Sequence, residues 1–157
     1  MWIGFSAKNS ISRLETILKS LYPERRIHWG ELDPDYDICI DRQCNPSEFP
    51  FLLDFTFFYQ VDEYWEAMKL ANKLSTSFQC KTIVDGTRHG PTNAPFWCIV
   101  WNKGKAYLAD DANSVFMEFD VELPVEEQEL GPVNIVKPVD DVFASEYKER
   151  RNNEKIF

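Results

Sequence analysis

The sequence predicts an α+β domain: a mainly antiparallel or mixed sheet with two to three helices packed on it, over residues 1–157 as a single domain. Three stretches carry that expectation. Phe49 to Gln60 (FPFLLDFTFFYQ) is too short to cross a bilayer and too aromatic to favour a helix, and it carries Asp54 and Thr56 among Phe51, Leu53, Phe55, Phe57 and Tyr59. It reads as a central strand. From Val61 the period changes, with Val61, Trp65, Met68, Ala71 or Asn72, Leu74 and Phe78 spaced three and four apart, as in an amphipathic helix of about four turns. Asp62 and Glu63 open that helix and Lys73 lies towards its end, which suits the helix dipole; Thr82 to Gly86 then reads as a strand closed by the Asp85-Gly86 turn. Third, Phe96 to Trp101 and Lys105 to Leu108, joined through Asn102-Lys-Gly104, form an antiparallel hairpin signal in which Gly104 can take positive φ.

The remaining elements follow in chain order. Trp2 to Phe5 reads as a first strand and Ser6 to Ser10 as a turn. A helix follows, with Ile11, Leu14, Ile17 or Leu18 and Leu21 as its buried stripe, capping from Ser10 or Ser12-x-x-Glu15, and a stop before Pro23. Ile27 to Trp29 is a brief extended piece. In Tyr36 to Asp41, Tyr36, Ile38 and Ile40 alternate with Asp37, Cys39 and Asp41, the pattern of a half-buried strand; Arg42 to Pro50 reads as a loop. Thr87 to Pro95 is a loop holding His89. Asp110 to Asn113 turns, Val115 to Phe119 resumes an extended apolar stretch, Pro124 to Pro132 is an acidic linker, and Val133 to Val136 is a short strand ending before Pro138. Asp140 to Arg151 begins acidic and ends basic, as a terminal helix docked by Val142 or Phe143 and Tyr147 would.

Composition narrows the function. Hydrophobic residues make up 44% and aromatics 15%, enough for a chain of this length to fold without staples. The opening MWIGFSAK lacks the basic, apolar and small-residue zones of a secretory signal, so a cytoplasmic location is expected, without membrane association. Cys39, Cys44, Cys80 and Cys98 form no CxxC pair and fit neither a zinc ribbon nor a disulfide scaffold, so reduced thiols are expected. The net charge of -9 is unevenly spread. From Glu31 to Glu66 ten acids face the single base Arg42, and from Ala106 to Val136 eight acids face none. Phosphate contacts need Lys and Arg, so direct nucleic-acid binding is not expected, and a basic protein is the natural complement. Solvated acidic loops that keep the chain soluble are the bland alternative.

Catalytic chemistry finds little purchase. Cys80, Asp85, His89 and Cys98 are near in sequence, but Cys80 falls at a helix-to-strand junction and Cys98 inside an apolar strand, where thiols pack rather than react. Adjacent Asp110 and Asp111 point to opposite faces of a strand and favour a turn role over a shared ion. No EF-hand or HExxH spacing is present, His28 has no recognisable ligand neighbours, and no metal or cofactor is expected. A small hydrolase or transferase using Asp85 and His89 stands as the alternative function, and an interaction module of a larger complex as a third.

The order Phe-Pro-Phe (49–51), aromatic strand, helix, Val-Asp-Gly (84–86) and aromatic hairpin, over residues 49 to 120, is similar to immunity proteins of bacterial polymorphic-toxin systems, including contact-dependent growth inhibition. The resemblance implies a non-enzymatic inhibitor that binds a cognate toxin domain, often a basic nuclease, and blocks its active site or substrate approach. It assigns no individual residue. The acidic blocks suit such a partner, and the candidate contact set is Asp33, Asp35, Asp37, Asp110, Asp111, Glu126, Glu127 and Glu129.

Overall fold

The computed structural model describes residues 1–118 and 130–144. Its elements run β1 (Trp2–Phe5), α1 (Ile11–Leu21), β2 (Ile27–Trp29), β3 (Ile38–Cys44), β4 (Phe51–Phe57), α2 (Glu63–Phe78), β5 (Lys81–Asp85), β6 (Trp97–Asn102), β7 (Lys105–Asp110), α3 (Val115–Glu118) and β8 (Asn134–Val139). The strands form one mixed sheet in the order β2-β3-β4-β1-β5-β6-β7-β8, antiparallel throughout except for the parallel β2–β3 pair. The α+β class expected from the sequence is the observed one.

The aromatic run does form an interior strand, and the β4–α2–β5 unit carries one feature that local pattern does not reveal. β1 lies between β4 and β5 and is antiparallel to both, so β4 and β5 run parallel with the amino-terminal strand between them. Residue parity then sorts the core. Ile3, Phe5, Ile38, Ile40, Leu53, Phe55, Val84, Ile99 and Leu108 meet Leu14 and Leu18 of α1 and Ala67, Met68, Leu70, Ala71 and Leu74 of α2. On the opposite face a smaller cluster gathers Ile83, Cys98, Val100 and Ala109 under Phe49, Phe116 and Val133, with Trp2 and Leu52 at its edge. Both faces are therefore covered over the middle of the sheet. Among the described residues this second cluster ends at Leu52, towards β3.

Local chemistry accounts for the element ends. The Ser10 side chain accepts a hydrogen bond from the Arg13 N–H (3.4 Å) and caps α1. α2 ends at Gln79 in a left-handed conformation. Lys103 (φ 51°) and Gly104 (φ 86°) make the two-residue hairpin turn with both φ positive, which fits the twist of the flanking strands.

Several expectations are corrected. β3 extends through Arg42, Gln43 and Cys44, because its ladder with β4 continues to Cys44–Phe51. Val115 to Glu118 is a helical turn rather than a strand, and it drives Phe116 into the second cluster. β8 continues through Pro138, which an edge strand tolerates, and a bulge opposite Leu108 and Ala109 absorbs the extra residue. In α1 only Leu14 and Leu18 are buried; Ile11 and Leu21 are exposed. The α2 stripe is centred on Tyr64, Ala67, Met68, Ala71, Leu74 and Ser75, with Trp65 half-buried, and its last turn carries no base. Of the terminal segment, Val142 is buried and Phe143 packs against Trp101 and Trp65, whereas residues from 145 onward, Tyr147 included, lie outside the described residues.

Candidate acidic docking face

On the face opposite the two long helices, Asp41 of β3 and Asp54 of β4 are exposed, beside the connection from β2 to β3. Parallel neighbours need a crossover, and here the residues between Trp29 and Ile38 supply it by crossing the face opposite the two long helices. The Gly30 N–H donates to the Ile40 carbonyl (3.0 Å), and the loop is pinned on Cys39: the Asp33 N–H donates to Cys39 Sγ (3.3 Å), and the thiol donates to the Asp33 carbonyl (3.4 Å). Beside this loop, Gly30, Glu31, Leu32, Cys39, Asp41, Asp54 and Thr56 line a shallow cavity of about 510 Å³.

Register decides its electrostatics. Cys39 pairs with Thr56 and Asp41 with Asp54, so these four side chains share one face and two carboxylates stand directly opposite each other across neighbouring strands. Such like-charge pairs destabilise a sheet. Asp41 Oδ1 accepts the Arg42 N–H (2.9 Å), and the Met1 ammonium lies 3.8 Å from Asp54 and 3.4 Å from Glu63. Among the described residues, neither Glu31 nor Asp41 makes an ion pair. Next to them Leu32 is 67% exposed, the most exposed large apolar side chain among the described residues. The result is an apolar knob beside three carboxylates.

The residues singled out from sequence fare differently. Asp33 accepts the Asp35 N–H (3.0 Å) and Asp37 accepts the Arg26 N–H (2.7 Å), so two of the first three carboxylates hold the β2–β3 connection, while Asp35 is exposed. Asp110 accepts the Ala112 N–H (2.8 Å) and shapes the turn after β7. Asp111 is 3% exposed and so is not offered to a partner at the surface. Glu126, Glu127 and Glu129 lie outside the described residues. Alternating strand direction puts Asp37 and Asp110 at the same end of the sheet, but β3 and β7 are five strand positions apart, roughly 24 Å at the usual spacing. Asp37 and Asp110 do not converge there. Glu31, Asp41 and Asp54 were absent from the sequence-based contact set, although the alternation of Cys39 with Asp41 and of Asp54 with Thr56 already placed each pair on one strand face.

Asp85 and His89, the pair of the catalytic alternative, are built into the fold. Asp85 Oδ1 accepts from the Thr87 N–H (3.0 Å) and hydroxyl (2.7 Å). His89 is buried; its Nε2 donates to the Val142 carbonyl (2.9 Å), which leaves Nδ1 to accept from the Tyr64 hydroxyl (2.5 Å). Burial holds the Tyr64 hydroxyl well above the ordinary tyrosine range, with the Asp85 charge adding to the effect, so it remains a donor. This chain of bonds joins the β5–β6 loop to α2 and to the segment after β8. Burial likewise pushes up the thiols of Cys98 and Cys80, away from the thiolate a nucleophile needs. Among the described residues no three His, Cys, Asp or Glu side chains converge to hold a metal ion, and no helix is long and apolar enough to cross a membrane.

No family model, no curated protein and no solved structure matches this chain. The physical character of the face is therefore the ground for a functional reading.

Proposed function

We propose that this protein is a non-enzymatic binding protein that docks a basic protein surface on its acidic sheet face, in the manner of an immunity protein neutralising a basic, nuclease-type toxin domain. The observation that carries the reading is the in-register Asp41–Asp54 pair, both carboxylates exposed among the described residues. Opposing two carboxylates costs the fold, a cost that the Met1 ammonium offsets only at Asp54, whereas a partner's Lys or Arg placed between them answers both through charge-assisted hydrogen bonds. Leu32 supplies the apolar anchor that a charged rim by itself lacks, and Glu31 extends the acidic rim. The same carboxylates disfavour nucleic acid as a direct ligand and steer a cationic protein towards the face.

The test is co-expression of the tagged protein with the open reading frames that neighbour its own, followed by purification of the complex and titration with variants. A basic partner at fixed stoichiometry is expected, its affinity falling at least tenfold in the double variant D41N/D54N and in L32A, and falling steeply between 50 and 500 mM salt. Binding that ignores both the variants and the salt sinks the proposal.

A further inference from the structure

A second site lies at the other end of the sheet, on the helix-covered face. α1 starts at Ile11, and Ile11 and Leu14 of its first turn line a cavity of about 230 Å³ together with the end of β3 (Arg42 to Cys44) and the start of β4 (Phe51 to Leu53). Its floor is apolar: Phe5, Leu14 and Leu53 are buried there, and Phe51 closes it at the side. Lys8, Arg42 and Cys44 line the same cavity and are exposed, so they form its mouth. None of the cavity's lining residues is acidic in a chain whose net charge is -9. Among the described residues neither Lys8 nor Arg42 makes an ion pair, and the first turn of α1 contains no acid to offset its positive end.

We propose that this cavity binds a short linear acyl carboxylate, its chain on the floor and its carboxylate between Lys8 and Arg42. The pairing of an apolar interior with two cations at the opening selects an amphipathic anion over a neutral or cationic ligand, because the head group keeps charge-assisted hydrogen bonds while the tail leaves water. The volume is below the range of about 300–1,000 Å³ usual for drug-sized ligands, which restricts the tail to a short chain. This inference is independent of the acidic face and of its partner.

Cys44 makes the site readable, since it stands at the mouth while the other three cysteines are buried. The experiment measures alkylation of Cys44 in the intact protein by iodoacetamide, by mass spectrometry, with octanoate as the probe. Saturable protection is expected, tightening about fourfold per added methylene from butanoate upward until the cavity is full. In the double variant K8Q/R42Q, whose positions are exposed and whose fold is checked by its thermal melt, half-protection should need at least tenfold more octanoate. Octylamine, of equal chain length and opposite charge, should protect at least tenfold less well. The proposal is overturned if octanoate gives no protection at 10 mM, if octylamine protects equally, or if affinity does not depend on chain length.

Discussion

Replacing Asp41 by Asn should stabilise this protein, an unusual sign for a substitution in a sheet. The amide keeps the shape of the side chain and the oxygen that accepts the Arg42 N–H at 2.9 Å, so what is removed is the charge facing Asp54. Directly opposed residues of antiparallel strands hold their Cβ atoms about 4.5–5.5 Å apart, and cross-strand pairs contribute roughly 0.2–1 kcal/mol. Two unit charges about 6 Å apart repel by about 0.7 kcal/mol in water. A gain of about 0.5 kcal/mol is therefore expected at low ionic strength, or a rise of about 1–2 °C in Tm for a domain of this size. At 1 M salt the screening length falls to about 3 Å and the gain should vanish. Urea denaturation of wild type, D41N and D35N at 10 mM and 1 M NaCl measures it. D35N is the control, an exposed carboxylate outside the sheet. The reasoning fails if D41N is neutral or destabilising at low salt, or if its gain survives 1 M NaCl. A stabilised variant that also loses the basic partner would show that this charge is kept for binding at the expense of the fold.

Three further outcomes test other parts of the structure. Gly86→Ala should destabilise by about 3 kcal/mol in urea melts, because its Cβ would lie 2.4 Å from the Cys98 carbonyl carbon and 2.7 Å from the Ile99 nitrogen, and strand backbone has no side-chain freedom with which to retreat. At pH 8 a chromogenic disulfide reagent should titrate one thiol rapidly, Cys44, and the rest only on unfolding, since Cys39, Cys80 and Cys98 are buried and burial pushes the Cys80 and Cys98 thiols up; rapid reaction of all four would contradict the described core. Alkaline stability should begin to fall above about pH 8.5, where the unfolded chain releases the Cys80 and Cys98 protons that burial retains in the fold, and fall more steeply above about pH 10: burial raises the Tyr22 and Tyr64 hydroxyls in the folded state, the Tyr22–Glu66 hydrogen bond adds to the first, and the unfolded chain releases these protons first as well. Phenolate absorbance at pH 11 should accordingly report fewer than the full six tyrosines until the protein unfolds.

What the sequence by itself determined is local. The three-and-four spacing from Val61 produced α2, Ser10 and Pro23 bracketed α1, and Lys103-Gly104 between two apolar runs produced the β6–β7 hairpin, because helix periodicity, capping and turn chemistry depend on neighbours within a few residues. Alternation also told which side chains share a face of one strand. It could not tell which strand lies alongside. The insertion of β1 between β4 and β5, the growth of β3 as far as Cys44, and the register that sets Asp41 against Asp54 are pairings between residues far apart in the chain. For the same reason the acidic runs did not tell which carboxylates also serve the fold: Asp33, Asp37 and Asp110 accept backbone N–H groups, as Asp41 does, and Asp111 is buried. A carboxylate's role is fixed by the donors and charges that the fold brings within about 3–4 Å of it, and those come from contacts the linear sequence does not specify.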